Sequence, residues 1–161
     1  MIACTFENGN KADPGLRHVT VGAIAYNEKG QVLLVKRSEK YSRPGTWTVP
    51  GGFLDRDRTV KEAVLKELKE ESGVDGKIEA LFHINDNPNR PHEDRQNVDF
   101  IYLVKVTSNL FSHDDEITQV AWFDKNTLPS EEEFAFDHRA TILKFFEYLE
   151  KSFPLPLLGK L

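Results

Sequence analysis

The stretch GGFLDRDRTVKEAVLKELKEESGV, residues 51–74, decides how the rest of this 161-residue chain is read. Thr59 with Glu62 three residues later makes a capping box, so a helix is expected from Val60. Gly73 can take the left-handed conformation that ends a helix. No Gly or Pro interrupts residues 60–72. At about 100° per residue, Val60, Val64 and Leu68 line up as an apolar stripe. Glu67 and Glu71 project within about 20° of Val60, on the same buried side, and Glu70 lies at its flank. Spacings of three and four residues bring the three carboxylates onto one patch, where they repel. Glu70 and Glu71 also sit in the last turn, where the helix dipole disfavours negative charge. Burial adds a desolvation cost. Something cationic must compensate them. Lys66 and Lys69 can do so as surface pairs; a bound metal ion is the other candidate.

The residues just before favour the ion. WTV at 47–49 reads as a short strand stopped by Pro50, Gly51 and Gly52. Glycines let a backbone approach a metal or phosphate closely. Oxygen ligands on a helix facing a glycine turn suit Mg²⁺ or Mn²⁺, hard ions that take carboxylates, waters and phosphate oxygens.

The stretch resembles the signature of the Nudix hydrolases, Gly-x5-Glu-x7-Arg-Glu-apolar-x-Glu-Glu-x-Gly-apolar. Aligned on Gly52, the chain matches at Glu67, Leu68, Glu70, Glu71, Gly73 and Val74. TWTVPGGF resembles the family's approach to the motif, and the likeness runs from the strand near His18 to the helix near Leu149. It implies an α+β fold, a mixed β-sheet sandwiched between helices. It implies divalent-metal-dependent hydrolysis of a nucleoside diphosphate linked to another moiety. By the same resemblance Glu67 and Glu71 are the main metal ligands, with Glu70 beside them and the Gly51 carbonyl completing the set. Glu116, just before a strand in SHDDEITQVAWF, falls where similar members place a further catalytic acidic residue; a solvated loop charge is the other reading.

Two signature positions depart. Arg58 stands for the motif's Glu and Lys66 for its Arg, so the salt bridge that these positions tend to form cannot exist here. Lys66 can reach Glu62 or Glu70, and Asp55 or Asp57 can partner Arg58. Such bracing typically carries about 10- to 100-fold in metal affinity or activity. AFDHRATIL (135–143) and NPNRP (87–91) are similar to segments of ADP-ribose pyrophosphatase-like members. That points to ADP-ribose, with AMP and ribose 5-phosphate as products. Alternatives are modified nucleoside triphosphates, NADH, or a degenerate module that binds a nucleotide without hydrolysis. Arg37 and Arg90 are the leading phosphate or ribose contacts, with Arg43 and Arg95 behind them; each is otherwise a surface cation. Phe53 and Trp47 can stack on a base, but a core role is expected for both. His138 is expected to be structural.

Outward from the motif, strands are expected at 18–27, 31–37, 77–84, 98–106 and 117–124, the first two as a hairpin. The segment 85–97 is long and polar, as functional loops often are. DHRATILKFFEYLEKS (137–152) is an amphipathic helix with Asp137 as N-cap and Ile142, Leu143, Phe145, Phe146 and Leu149 as its buried face. Residues 1–17 are expected to form a loose arm, 18–152 the domain, and 153–161 a tail. The tail either packs back, the expected outcome, or meets a partner such as a second copy.

Hydrophobic content of 39% against 29% charged fits one globular domain. A net charge of −5 gives no whole-molecule attraction to nucleic acid or anionic membrane. The single cysteine, Cys4, excludes an internal disulfide and a zinc ribbon, and favours a reducing, cytoplasmic setting. The first residues lack the apolar core of a secretory signal.

Overall fold

The computed structural model of the protein describes residues 16–92, 96–108 and 111–161. Cys4, Arg95 and nearly all of the expected arm lie outside them. The strands are β1 (Val19–Tyr26), β2 (Val32–Arg37), β3 (Trp47–Thr48), β4 (Gly51–Phe53), β5 (Gly76–Asn85), β6 (Val98–Val106), β7 (Ile117–Phe123) and β8 (Leu157–Leu158). The helices are α1 (Val60–Ser72) and α2 (His138–Glu150). One mixed sheet runs β3-β2-β1-β6-β5-β8, with β4 paired to β1 and β7 to β2. The pairs β1–β6 and β5–β8 are parallel; the others are antiparallel.

Alternation along β1 builds two cores. Val21, Ala23 and Ala25 face α1, where they meet Val64 and Leu68. Ile24 faces the other way, into a cluster with Phe82, Ile101 and the α2 residues Ile142, Phe145 and Phe146. The sheet is thus sandwiched between the helices. Each fully buried side chain of this kind contributes about 1.5–3 kcal/mol.

The α1 boundaries follow the sequence logic. Thr59 and Glu62 form the reciprocal capping box, and Gly73 sits at φ 74° with its N–H on the Lys69 carbonyl. Three expectations are corrected. Pro50-Gly51-Gly52 does not simply stop a strand, because Gly51–Phe53 forms β4 against β1. Glycine is needed there: a Cβ on Gly51 would lie 2.2 Å from the Val21 carbonyl oxygen. Asp137 occupies the N-cap position of α2 but caps nothing, since its carboxylate is held by Asn85 and Arg90. Leu149 is 45% exposed rather than core, and Leu143 is only half-buried. The tail packs back: β8 joins the edge of β5, and Phe153, Leu155 and Leu157 pack on the α2-side core.

Candidate active site

The last two turns of α1 run beside the β4 glycines, and this contact creates the site. Glu71 is 4% exposed and accepts a hydrogen bond from the Gly51 N–H at 2.8 Å. Burial pushes its carboxyl up to about 8; the Gly51 bond and the charge of Arg37 oppose this, while Glu67 and Glu116 add to it. Glu67 is half-buried and is likewise raised by burial, against a hydrogen bond from Lys66. Its carboxylate fits where Gly52 has no side chain, for a Cβ there would lie 2.7 Å from Glu67 Oε2.

Glu70 behaves differently. It is about half exposed and binds Lys66 Nζ at 2.8 Å, the same ammonium that lies 3.2 Å from Glu67 Oε1 and 3.6 Å from Asp55. Lys66 is raised, chiefly by the Glu70 bond. Arg58 pairs with Asp55 at 3.5 Å. The three carboxylates line one cavity, but they are not equivalent: Glu67 and Glu71 are the more buried two, while Glu70 is paired with Lys66 one turn back. Among the described residues no three His, Cys, Asp or Glu side chains are gathered as a ready-made metal cage.

Two loops flank the helix end. Residues 111–116 dock on it through Ser112 N–H to the Ser72 carbonyl and Asp114 N–H to the Glu70 carbonyl. These bonds satisfy carbonyls that a helix terminus leaves open. The loop after β2 holds the same segment from the other side, through Ser38 N–H to the Glu116 carbonyl and the Lys40–Asp115 ion pair. The Tyr41 hydroxyl bonds to Glu116, which pushes Tyr41 up to about 12. Glu116 is thereby brought to the same cavity as Glu67 and Glu71.

That cavity, of about 330 Å³, also takes in Gly51, Glu70, Arg37, Phe53 and Arg90. All the leading sequence candidates are thus neighbours, but not all stand as expected. Phe53 is 38% exposed at the wall, not core, whereas Trp47 is core. Arg37 donates to the Ser42 carbonyl and lies over the Phe136 ring. Arg90 is not a surface cation: its side chain is 3% exposed and ion-paired with Asp137 at 2.8 Å and Asp99 at 3.5 Å. His138 is buried, with Nδ1 2.7 Å from the Thr48 hydroxyl and Nε2 3.1 Å from Arg90.

Sequence reasoning missed this inner polar group. Asp99 is 3% exposed. Burial alone would raise it, but His138, Arg90 and the adjacent Thr20 hydroxyl hold it below the usual range. Phe136, also missed, sits at φ 56°, a rare backbone for an aromatic residue. It is fixed between Ala135, whose N–H binds the Trp47 carbonyl, and the ion-paired Asp137. No periodicity marks either residue.

A model of the NUDIX domain matches residues 16–145. The chain belongs to the NUDIX domain family. It is a pyrophosphohydrolase, and the family acts on nucleoside diphosphate derivatives. An ADP-ribose pyrophosphatase of Methanocaldococcus jannaschii is 30% identical over 132 residues, 81% of this chain and 75% of that one. A NUDIX hydrolase from Nitrosomonas europaea superposes with a TM-score of 0.79 at 23% identity, over 98% of this chain and 92% of that one. The NUDIX domain of Shewanella oneidensis NrtR, complexed with ADP ribose, is 28% identical with a TM-score of 0.70, over 86% and 94% of the two chains.

Nudix hydrolases generally use divalent ions, and the donor set here fits one. Glu71 is buried and accepts a hydrogen bond from the Gly51 N–H, and Glu67 is half-buried beside it. Burial raises both carboxyls, and the Gly51 bond and Arg37 charge at Glu71 and Lys66 at Glu67 offset it only in part. Two carboxylates leave most of an ion's coordination to waters and substrate oxygens, as Mg²⁺ prefers. Among the described residues, no helix is long and apolar enough to cross a membrane.

Proposed function

We propose that the chain hydrolyses ADP-ribose to AMP and ribose 5-phosphate in a cytoplasmic setting. Mg²⁺ or Mn²⁺ would be held chiefly by Glu67 and Glu71, with Glu70 beside them and the Gly51 carbonyl completing the set. The observation that carries the reading is the burial of Glu71 beside Glu67 against the β4 glycines, in a cavity of small-nucleotide size. The similarity to an ADP-ribose pyrophosphatase over most of both chains supports the substrate.

A divalent ion bound there supplies charge neutralisation for phosphate oxygens and a lowered pKa for the attacking water. The chain's own residues do the rest. Glu116, held by Tyr41 and the Ser38 N–H, accepts the proton of that water. Arg37 steadies the diphosphate, and Phe53 offers an aromatic face at the wall. Arg90 acts as a strut rather than a phosphate contact, because Asp137 and Asp99 already take its guanidinium.

A second reading has one specific observation behind it. The Lys66 ammonium lies among Asp55, Glu67 and Glu70, where it offers countercharge that an ion would otherwise supply. On that reading the domain binds its nucleotide without hydrolysing it. A panel of ADP-ribose, NADH and oxidised dGTP with saturating Mg²⁺ tests both. Rapid turnover of ADP-ribose supports the first reading; tight ADP-ribose binding without turnover supports the second.

A further inference from the structure

Among the described residues that line the cavity, Phe136 alone has a positive φ, 56°. Such a backbone is costly for a bulky side chain and persists only where the surroundings impose it. They impose it from both sides. Before it, the Ala135 N–H binds the Trp47 carbonyl at 2.8 Å, and Phe134 forms a parallel bridge with Trp47. After it, the Asp137 carboxylate is held by Asn85 at 2.7 Å and by Arg90 at 2.8 Å. The ring is aimed by its neighbours rather than by its own preference.

What the ring meets is charge. The Arg37 guanidinium lies over it, 5.9 Å from the centroid, and the Arg90 guanidinium lies over it at 5.6 Å. A cation is drawn to an aromatic face at such distances. Arg90 is already fixed by Asp137 and Asp99. Arg37 is anchored differently. It stands where the β2–β7 pairing shifts register, between Lys36 and Arg37, and such irregularities re-aim a side chain beside an active site. Its Nε–H donates to the Ser42 carbonyl at 2.6 Å and Nη2 reaches the Ser42 hydroxyl at 3.3 Å, both on an exposed loop residue. The Phe136 ring joins this half-buried guanidinium to the fixed interior.

We infer that Phe136 is a positioning residue: its ring holds the Arg37 guanidinium in the cavity, so that the inner group of Arg90, Asp99 and Asp137 sets where that arginine meets a diphosphate. The inference rests on the proposed role of Arg37 in steadying the diphosphate, and adds the residue that fixes it.

The test is calorimetric binding of α,β-methylene-ADP, a diphosphate whose P–C–P bridge resists hydrolysis, with Mg²⁺ present. The proteins are the wild type, Phe136→Leu, Phe136→Gly, Arg37→Gln and the double variant Arg37→Gln, Phe136→Leu, each with its melting temperature. Phe136→Gly removes the ring and relieves the backbone together, because glycine takes a positive φ freely. A residue that served the fold alone would leave binding intact in any variant that keeps its melting temperature. Instead, Phe136→Leu and Phe136→Gly should each weaken the diphosphate by about three- to thirtyfold, the span of cation–ring attraction from exposed to desolvated sites. In the Arg37→Gln background, Phe136→Leu should change binding by less than about twofold, because the ring then has no guanidinium to hold. Wild-type affinity in either folded single variant at Phe136, an equal loss with and without Arg37, or no binding of the diphosphate by the wild type overturns the proposal. ADP-ribose hydrolysis measured in parallel separates the two claims. Turnover without coupling between Arg37 and Phe136 overturns the positioning role alone. Coupling without ADP-ribose turnover supports the positioning role and overturns the substrate reading alone.

Discussion

Replacing Gly52 by alanine puts the proposed metal site under a defined load. The new Cβ would lie 2.7 Å from Glu67 Oε2 and 2.9 Å from its Cδ. Ordinary contact begins near 3.4 Å, so the carboxylate must retreat by about 0.7 Å, the difference of the two distances. The obstructing atoms are the far end of a flexible side chain, so the fold can yield at low cost. A functional constellation tolerates displacements of only about 0.5 Å. Gly52→Ala should therefore lower kcat/KM on ADP-ribose by about 10- to 100-fold, the usual effect of disturbing metal support. The Mg²⁺ concentration for half-maximal activity should rise. The unfolding free energy should change by less than about 1 kcal/mol. Gly51→Ala is the control: its Cβ would meet the Val21 carbonyl oxygen at 2.2 Å, a backbone atom that cannot step aside. That variant should melt markedly lower or fail to fold. Wild-type turnover in Gly52→Ala would refute the reasoning, as would a loss of stability equal to that of Gly51→Ala.

Two further outcomes are expected. The Glu71 carboxyl is raised from 4.5 to about 8 in the folded chain, so the folded state binds its proton more tightly than the unfolded state. Stability of the metal-free protein should therefore decline as pH rises from about 4.5 to about 8 and then level off, the direction linkage requires. Melting curves across that range should show the decline, and Glu71→Gln should flatten it. Lys66→Ala removes the ammonium that lies 3.2 Å from Glu67 and 2.8 Å from Glu70. Its partly exposed pairs should alter stability by no more than about 1 kcal/mol. Activity should fall by about tenfold if Lys66 braces the ligands; a rise would show that it competes with the ion.

Local rules wrote the fold plainly where one element decides its own shape. The Thr59–Glu62 box and Gly73 set both ends of α1, because caps act within a few residues. The odd position of Glu67 and Glu71 was legible for the same reason, since helical spacing alone puts them on the buried side. Legibility ended where distant segments decide. Gly51–Phe53 is a strand because β1 accepts it, and Asp137 leaves its capping duty because Arg90, 47 residues away, takes its carboxylate. The three glutamates share one cavity as helical spacing dictates, but spacing did not show which of them Lys66 would take, and it pairs most closely with Glu70. Asp99, Thr20 and Phe136 meet at the cavity only through the β1–β6 register and the backbone turn before α2. Neither leaves a trace in periodicity.

The most direct test of the account is ADP-ribose turnover with Mg²⁺ by the wild type beside Glu67→Gln and Glu71→Gln, with folding checked by melting. The account predicts AMP and ribose 5-phosphate from the wild type and loss of turnover in both folded variants. Turnover surviving both substitutions would contradict it, since the buried carboxylate pair would then not be the metal site.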